Sequence, residues 1–440
     1  MMYTTKHSDK ERTVPMSGAP SVPTVAVIGG GAAGMMTAAT AARLGAAVTL
    51  FEREEKRGRK LGITGKGRCN LTNDCTRDEF IENVPGNPRF LYAAFAAFPP
   101  RAVMEYFEGL GVPLKVERGR RVFPVSDRAG DIVYALAHEC DMAGCRTRHA
   151  TVTSIKTCEG GGFTVEYDRG SLHFDRVVIA TGGMSYPRTG STGDGYRFAR
   201  ELGHTVGELR PSIVPIESRH PLCREAMGLS LKNVVLSVYE SGKRRAIYSE
   251  MGELLFTHFG ISGPLSLSAS AAMRRVGDAT YEASIDLKPA LDEATLDARL
   301  LGEIERYRNR DLANLLGALL PQKLIRPFIA MTGIAPSKKA NSITREERAT
   351  IISTLKDMRF PLSGLRPIEE AVVTAGGVSV REIDPRTMQS KLCPGLYFAG
   401  EIIDVDAYTG GYNLQIAWST GRAAGIAVAE PECPEDAENA

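Results

Sequence analysis

Short apolar runs alternate with glycine-rich turns at the start of the chain. Val25–Ile28 forms the first run, a Gly-x-Gly-x-x-Gly turn occupies residues 29–34, and an alanine-rich segment spans 35–44. A second apolar run, Ala47–Phe51, ends in Glu52. Continuous apolar runs of this length predict buried parallel strands, and the segment between them is long enough for a crossover helix. The pattern therefore predicts a βαβ unit with an acid at the end of its second strand.

The three glycines and the acid each have a physical role in binding a dinucleotide. Gly29 permits a tight turn, Gly31 lets a pyrophosphate approach the backbone, and Gly34 lets the helix pack close to the sheet. The helix N-terminus offers free N–H groups to the phosphates, and the Glu52 carboxylate can accept both hydroxyls of an adenosine ribose. An ordinary glycine turn is the alternative, but the flanking strands, helix and acid favour nucleotide binding.

The pattern of a strand followed by glycine recurs later in the chain. Arg176–Ala180 runs into Thr181–Gly183, and a second apolar strand ends in Gly400-Glu401. A glycine-opened, alanine-rich helix follows from about Gly411. One nucleotide contacted by both ends of the chain fits FAD better than NAD, because FAD is long and needs several loops. No second Gly-x-Gly-x-x-Gly opens a helix, so the sequence indicates no separate nicotinamide domain.

The middle of the chain has a different hydrophobic pattern. Its short apolar runs and frequent prolines predict antiparallel strands. A long stretch with Leu, Ile and Ala at helical spacing follows, and then a return strand. These elements form an insertion into the nucleotide-binding domain, and we expect the insertion to form the wall on the substrate side of the site. We predict a disordered leader at 1–22, an FAD-binding domain at 23–204 and 366–429, a β-rich insert at 205–290 and 357–365, a helical insert at 291–356, and a disordered tail at 430–440.

Two segments rich in arginine and glycine are candidates for binding an anion. Arg53–Asn73 has many donors and almost no apolar pattern, which predicts an irregular loop facing an anionic or carbonyl-rich ligand. A solvated basic loop is the alternative. Arg118, Arg120 and Arg121 surround a predicted turn, and there we favour solvation over recognition of an acidic substrate.

Composition restricts the partners and the compartment. The 440 residues are 43% apolar, as in a globular protein, and the net charge is only +2. We therefore expect neither nucleic acid nor a membrane surface as partner, and no feature indicates a protein partner. No apolar run is long enough to span a bilayer, and no signal peptide is visible. The eight cysteines form no Cys-x-x-Cys pair, so we expect free thiols in the cytoplasm, no metal site and no dithiol–disulfide flavoenzyme.

These motifs together resemble the YhiN/BaiN-type flavoproteins, a bacterial family of NAD(P)/FAD-dependent oxidoreductases with bile-acid reductase-like and aminoacetone oxidase-like members. The resemblance covers roughly residues 22–429. It is highly specific for the family and poorly specific for the substrate. The segments that carry it are Val25–Gly34 with Glu52, Thr64–Asn73, Ala180–Gly183, Phe256–Pro264, Gly376–Val378, and Ala399–Glu401 through Asp404 to Asn413–Gln415.

The resemblance implies an α/β fold: a glutathione-reductase-type Rossmann FAD-binding domain with an inserted β-barrel-like and helical region. It also implies that Asp404 binds pyrophosphate or ribityl oxygens, and that Val152 faces the adenine through its backbone. Asn413–Gln415 would open a helix that faces the isoalloxazine. The expected cofactor-binding residues are Gly29, Gly31, Ala32, Ala33, Gly34, Glu52, Arg53, Lys60, Thr64, Gly65, Arg68, Asn70, Val152, Thr181, Gly182, Gly183, Gly400, Glu401, Asp404, Gly411, Asn413, Leu414 and Gln415.

The expected function is an FAD-dependent oxidoreductase that passes hydride through flavin N5 from NADH or NADPH to a small unsaturated or carbonyl compound. An oxygen-using FAD-dependent amine oxidase and a flavin-dependent RNA modifier or binding module are the alternatives. No residue stands out as catalytic. Tyr186, Arg188 and Tyr408 are substrate-side candidates on glycine-rich loops, whereas we interpret His258 as structural and Cys69 as a packing residue.

Overall fold

Five parallel strands form the centre of the nucleotide-binding part of the chain. The structure, a computed structural model, describes residues 22–431, so the expectations for the leader and the tail fall almost entirely outside the described residues. The strands before the insert are β1 (Thr24–Ile28), β2 (Ala47–Glu52), β3 (Thr72–Asn73), β4 (Leu114–Glu117), β5 (Arg121–Pro124), β6 (Arg146–His149), β7 (Val152–Thr157), β8 (Phe163–Tyr167), β9 (Gly170–Phe174) and β10 (Arg176–Ile179). The helices of the same region are α1 (Ala32–Arg43), α2 (Arg59–Gly67), α3 (Arg77–Glu82), α4 (Tyr92–Ala97), α5 (Pro100–Gly109), α6 (Ala129–Met142) and α7 (Asp194–Glu201).

The insert and the return to the first domain contribute the remaining elements. The strands are β11 (Arg210–Ser212), β12 (Ile216–Glu217), β13 (Ser230–Glu240), β14 (Tyr248–Phe256), β15 (Gly260–Ser262), β16 (Tyr281–Asp286), β17 (Met358–Leu362), β18 (Gly364–Leu365), β19 (Val373–Ala375) and β20 (Leu396–Phe398). The helices are α8 (Pro221–Glu225), α9 (Pro264–Ala272), α10 (Glu293–Arg306), α11 (Leu312–Leu316), α12 (Gln322–Thr332), α13 (Arg345–Lys356) and α14 (Tyr412–Ala427).

The parallel sheet has the strand order β20-β10-β1-β2-β6. Its central strands β1 and β10 are almost fully buried. The helix α1 packs against α14 and α6, and Phe51 of β2 packs against Tyr167 of β8 and Phe174 of β9, so helices and the β7–β9 sheet both help to cover the parallel sheet. The first and last parts of the chain therefore share one sheet: β20 pairs with β10 through Val178 and Tyr397. This arrangement confirms the predicted Rossmann-type architecture.

The insert is built on a seven-stranded antiparallel sheet with the order β17-β16-β13-β14-β15-β12-β18. The two edge strands are separated by one residue, Ser363, whose N–H donates to the Glu217 carbonyl at 2.8 Å. The last strand thus bends and pairs with β16 before the bend and with β12 after it. The sheet closes on itself in this way, as the β-barrel-like expectation requires.

Two separate hydrophobic cores lie in the described residues. One contains the parallel sheet and its helices, including the fully buried Trp418. The other lies between the insert sheet and α10–α13, with Leu236, Leu296 and Phe328 fully buried. This separation supports the proposed division into an FAD-binding domain and an insert. Among residues 22–431, no helix is both long enough and apolar enough to cross a membrane.

The segment after Glu52 differs from the prediction of an irregular loop, because α2 is helical from Arg59. Leu61 is buried, so the segment has a packing anchor that its polar composition conceals. The helix is interrupted at Thr64, and Gly65 and Lys66 both have positive φ. A turn of this kind exposes backbone groups, so the segment keeps the donors expected of a cofactor loop while being held by the core.

Candidate functional site

One large cavity lies at the carboxyl ends of the parallel strands and extends to the insert. It is lined by most of the residues predicted to bind the cofactor: Gly29, Gly31, Ala32, Ala33, Glu52, Arg53, Lys60, Thr64, Gly65, Asn70, Val152, Thr181, Gly182, Gly400, Glu401, Gly411, Asn413 and Leu414. No group of three or more His, Cys, Asp or Glu suited to a metal ion occurs among residues 22–431. The cavity is therefore the candidate site.

The Glu52 carboxylate is fixed by backbone donors on both of its oxygens. The N–H of Gly30 donates to Oε2 at 2.8 Å, and the N–H of Glu54 donates to Oε1 at 2.9 Å. Burial raises the pKa of Glu52, while these two hydrogen bonds oppose the increase. Each oxygen keeps a free lone pair, so the carboxylate is positioned in advance for ribose hydroxyls.

The glycine turn leaves room where a pyrophosphate would lie. A Cβ at Gly31 would have no atom within 4 Å, whereas a Cβ at Gly34 would lie 1.8 Å from the Gly29 carbonyl oxygen. The first position is open space and the second is a close contact between helix and strand. Gly31 is also the N-cap of α1 and provides no side-chain cap, so the first-turn amides stay available to an anion.

The N-terminus of α14 forms a second glycine-opened wall of the cavity. Its N-cap, Gly411, has φ +101°, and a Cβ there would lie 2.4 Å from the Thr72 carbonyl oxygen. The Asn413 side chain holds the preceding loop by accepting from the Ala407 N–H at 3.0 Å and donating to the Ala407 carbonyl at 2.7 Å. The helix N-terminus therefore faces the cavity through its backbone, where its dipole favours negative charge.

A partly buried ion pair also lines the cavity. Lys60 Nζ lies 2.6 Å from Glu401 Oε2 and donates to Ser185 Oγ at the same distance. The other carboxylate oxygen of Glu401 accepts from the Thr374 N–H at 2.8 Å. These contacts join α2, the loop after β10 and the strand β19 at the cavity.

Five predicted residues do not line the cavity: Gly34, Arg68, Gly183, Asp404 and Gln415. Gly34 and Gly183 are packing glycines, since a Cβ at Gly183 would lie 2.4 Å from Thr374 Oγ1. Gln415 is fully buried, and its amide donates to the Phe98 carbonyl at 2.8 Å. These three residues therefore have packing roles next to the cavity and do not line it.

Arg68 and Asp404 point to other partners. Arg68 pairs with Glu117 and Asp127 and stacks over the Phe123 ring at 4.2 Å. Asp404 accepts from Asn87 at 3.1 Å, and burial raises the pKa of its carboxyl. Both residues are close in sequence to residues that line the cavity. The direction in which their side chains point depends on the surrounding turns, which the motif does not specify.

We expected the insert to form the substrate-side wall, but most of the residues at the end of the cavity that faces it were not named from the sequence. Ile213, Leu267 and Val372 form an apolar wall there, next to Tyr408 and Thr409. Of these, only Tyr408 was a sequence candidate. Ile213 and Val372 lie where the chain leaves and re-enters the first domain. The predicted positions of these two crossings could have identified both residues as candidates for the cavity wall. The Val372 N–H donates to the Ile213 carbonyl at 3.0 Å, so the two crossings are joined.

The other sequence candidates lie elsewhere. Tyr186 and Arg188 are exposed and do not line the cavity, and His258 is exposed in the turn after β14. Cys69 is fully buried, which raises the pKa of its thiol to about 12 and makes it a poor nucleophile.

The cavity fits FAD in the groups that it presents. The open position at Gly31 and the free amides of α1 suit a pyrophosphate, Glu52 suits the ribose, and the α14 N-terminus suits a ring that becomes anionic on reduction. The bound flavin would supply two-electron transfer chemistry, while the protein supplies binding, orientation and electrostatics.

Comparison with known proteins gives a consistent result. The chain is 34% identical over 403 residues to a ribosomal RNA dihydrouridine synthase of Escherichia coli, covering 90% of this chain and 95% of that protein. It is 29% identical over 414 residues to a 3-dehydro-bile acid delta(4,6)-reductase of Clostridium scindens, covering 92% and 99%. A ribosomal RNA dihydrouridine synthase of Haemophilus influenzae is 31% identical over 409 residues, covering 91% and 97%.

The family model described as the HI0933-like protein Rossmann domain matches residues 23–427, which include both the parallel sheet and the insert. The recognition made from the motifs is thereby confirmed. The chain belongs to the HI0933-like family and is a flavin-dependent oxidoreductase of the Rossmann type.

Proposed function

We propose that this protein is an FAD-dependent reductase that uses NADH or NADPH to reduce a carbon–carbon double bond conjugated with a carbonyl group. The observation that carries the proposal is the two-part cavity. One part suits the ribose and pyrophosphate of FAD, and the other has an apolar wall of Ile213, Leu267 and Val372. An apolar wall beside the flavin suits a flat, weakly polar hydride acceptor.

The relatives support the reaction class. The names delta(4,6)-reductase and dihydrouridine synthase both describe the addition of hydrogen across a carbon–carbon double bond. In a 3-dehydro-bile acid and in uridine, that bond is conjugated with a carbonyl. Conjugation lets the carbonyl oxygen take up the charge that a hydride brings, so one flavin site can serve both types of acceptor.

Anaerobic mixing tests the proposal in two steps. NADH or NADPH should bleach the flavin absorbance, and a conjugated enone should then restore it faster than a saturated ketone of the same shape. If neither nicotinamide bleaches the flavin, the proposed electron donor is wrong. If an amine bleaches the flavin and only oxygen restores it, the protein is an amine oxidase instead.

Reduction of uracil in RNA is a second candidate, and one structural observation favours it besides the relatives' names. The exposed Arg118 and Arg120 lie on the turn between β4 and β5, and the exposed Arg121 is the first residue of β5. The Asn73 amide donates to the carbonyls of Gly119 in that turn and Gly410 in the cavity wall, at 3.0 Å each. The basic turn is thus joined to the cavity wall, where it could contact phosphates.

The two candidates make different predictions with the same assay. A ribosomal RNA fragment should reoxidise the reduced flavin in the RNA case, with a rate that falls steeply as salt increases. The double variant Arg118→Ala and Arg121→Ala should slow that reoxidation while leaving reoxidation by an uncharged enone unchanged. Equal effects on both acceptors would remove the argument for RNA.

A further inference from the structure

Tyr408 offers an unused hydroxyl at the insert-facing end of the cavity. It lines the cavity, and its hydroxyl has no hydrogen-bond partner among residues 22–431. Its backbone is held at both sides, because its N–H donates to the Asn83 carbonyl at 2.9 Å and its carbonyl accepts from Asn413. A fixed backbone with a free hydroxyl is an arrangement suited to contact with a ligand.

The other ionisable side chains that line the cavity are occupied or lie beside the ribose position. Glu52 accepts two backbone hydrogen bonds, Arg53 pairs with Asp194, and Glu54 pairs with Arg59. Lys60 and Glu401 pair with each other. Lys56 follows β2 in the loop beside Glu52.

No histidine or cysteine lines the cavity in the described part of the chain. Tyr408 is therefore the acid left at the apolar end.

The surroundings of Tyr408 keep its proton in place at neutral pH. Its ring packs edge to face against Tyr248 of β14, with 6.2 Å between the ring centroids. Burial raises the pKa of Tyr408, and the Glu250 carboxylate raises it further. Arg274 opposes this increase and Asp406 adds to it. The hydroxyl thus enters a reaction as a proton donor and not as a base.

We propose that Tyr408 donates the proton that completes reduction of the conjugated double bond. This inference rests on the proposed function. A bound reduced flavin would supply the hydride to the β-carbon of the acceptor, whose π electrons would move to the α-carbon and carbonyl. The Tyr408 O–H bond breaks and the proton forms the new C–H bond at the α-carbon. The tyrosinate left behind takes a proton from water, so charge and atoms balance.

Tyr408→Phe separates this role from binding and from flavin reduction. Reduction of the flavin by NADH or NADPH should stay within about twofold, while reoxidation by a conjugated enone should slow by about 100-fold or more, the usual value of a positioned general acid. In D₂O, reoxidation of the wild-type protein should slow, and deuterium should be incorporated at the α-carbon of the product. Binding of a saturated ketone, read from the shift in flavin absorbance, should be unaffected.

Tyr186→Phe is the matched control, because that tyrosine is exposed and does not line the cavity. This variant should behave like the wild-type protein in every measurement. If Tyr408→Phe is reoxidised by the enone at the normal rate, Tyr408 is not the donor, although the proposed function stands. If no conjugated enone reoxidises the unchanged protein, the proposed function and the role of Tyr408 both fail.

Discussion

The two ends of the cavity are built from different parts of the chain. At the ribose end, the groups suited to hold the ligand include backbone amides and the Glu52 carboxylate, which is itself held by two backbone N–H groups. At the insert-facing end, the cavity is lined by the side chains of Ile213, Leu267, Val372 and Tyr408, which come from four separate segments. The first end is suited to one constant ligand. The second can change its shape with single substitutions, which is how one fold serves different substrates.

The strongest test of this comparison uses two glycines three residues apart. Gly34→Ala places a Cβ 1.8 Å from the Gly29 carbonyl oxygen, and the overlap should cost about 3 kcal/mol or more of unfolding free energy. The better helix propensity of alanine returns only about 1 kcal/mol, so the overlap dominates. Chemical denaturation measures the loss.

Gly31→Ala is the matched control for Gly34→Ala. Gly31 has φ −82°, which alanine adopts easily, and no atom lies within 4 Å of the new Cβ. Stability should therefore change by less than about 0.5 kcal/mol. FAD affinity should fall at least about tenfold, because the methyl group occupies the pyrophosphate space. Equal losses of stability in both variants would contradict the assignment of separate roles to the two glycines.

Glu52→Ala tests the ribose contact. Hydrogen bonds to a charged group contribute about 1.5–3 kcal/mol each, so losing the carboxylate should weaken FAD binding by about 100-fold. Fluorescence titration of the apoprotein with FAD measures this. Glu55→Ala is the control, because Glu55 is an exposed acid in the same loop and should have no effect.

The raised pKa of Glu52 gives the same site a pH dependence with opposite effects on binding and stability. Because burial disfavours the carboxylate, protonation begins at a higher pH than for an ordinary glutamate. As pH falls through that pKa, FAD affinity should fall with it, since the protonated group accepts ribose hydroxyls poorly. The apoprotein should gain stability over the same interval, because the buried charge is removed. Glu52→Gln should abolish both trends.

The difference between the two ends also explains what the sequence could predict. Gly29, Gly31, Gly34 and Glu52 act through backbone geometry at fixed spacing, so their roles follow from the local sequence. The insert-facing wall depends on which distant segments meet, and no local pattern records that Val372 bonds to Ile213 across the insert. The family resemblance named Asn413 and Lys60, which line the cavity, and it also named Arg68 and Asp404, which do not.

The helix α2 illustrates a second limit of sequence reasoning. A segment rich in Gly, Lys and Arg has no apolar period, yet its buried Leu61 anchors one side of a helix. Burial of one side chain supplies about 1.5–3 kcal/mol, and flanking contacts then decide the conformation. Such tertiary support is not visible in a local pattern.

Ile213 tests whether the insert-facing end stores strain. It has φ +54°, a conformation that costs a β-branched residue about 1–3 kcal/mol, and it is held there by the bonds around it. Ile213→Ala should therefore lose less stability than Ile216→Ala by about 1–2 kcal/mol. Ile216 is also buried, but it lies in a regular strand. Equal losses on chemical denaturation would mean that Ile213 carries no excess strain.

The smallest expected effect concerns Arg68, which the family motif places at the cofactor and the structure places outside the cavity. Its guanidinium is taken up by Glu117, Asp127 and the Phe123 ring, so Arg68→Ala should change FAD affinity by less than about threefold, well under the tenfold that 1.4 kcal/mol represents. Lys60→Ala is the comparison, since it removes a cavity side chain and leaves Glu401 without its ion-pair partner. It should weaken FAD binding by about tenfold or more. If Arg68→Ala weakens FAD binding as much as Lys60→Ala, the loop at 64–68 must rearrange when the cofactor binds, and the ribose and pyrophosphate end is less preformed than its backbone contacts indicate.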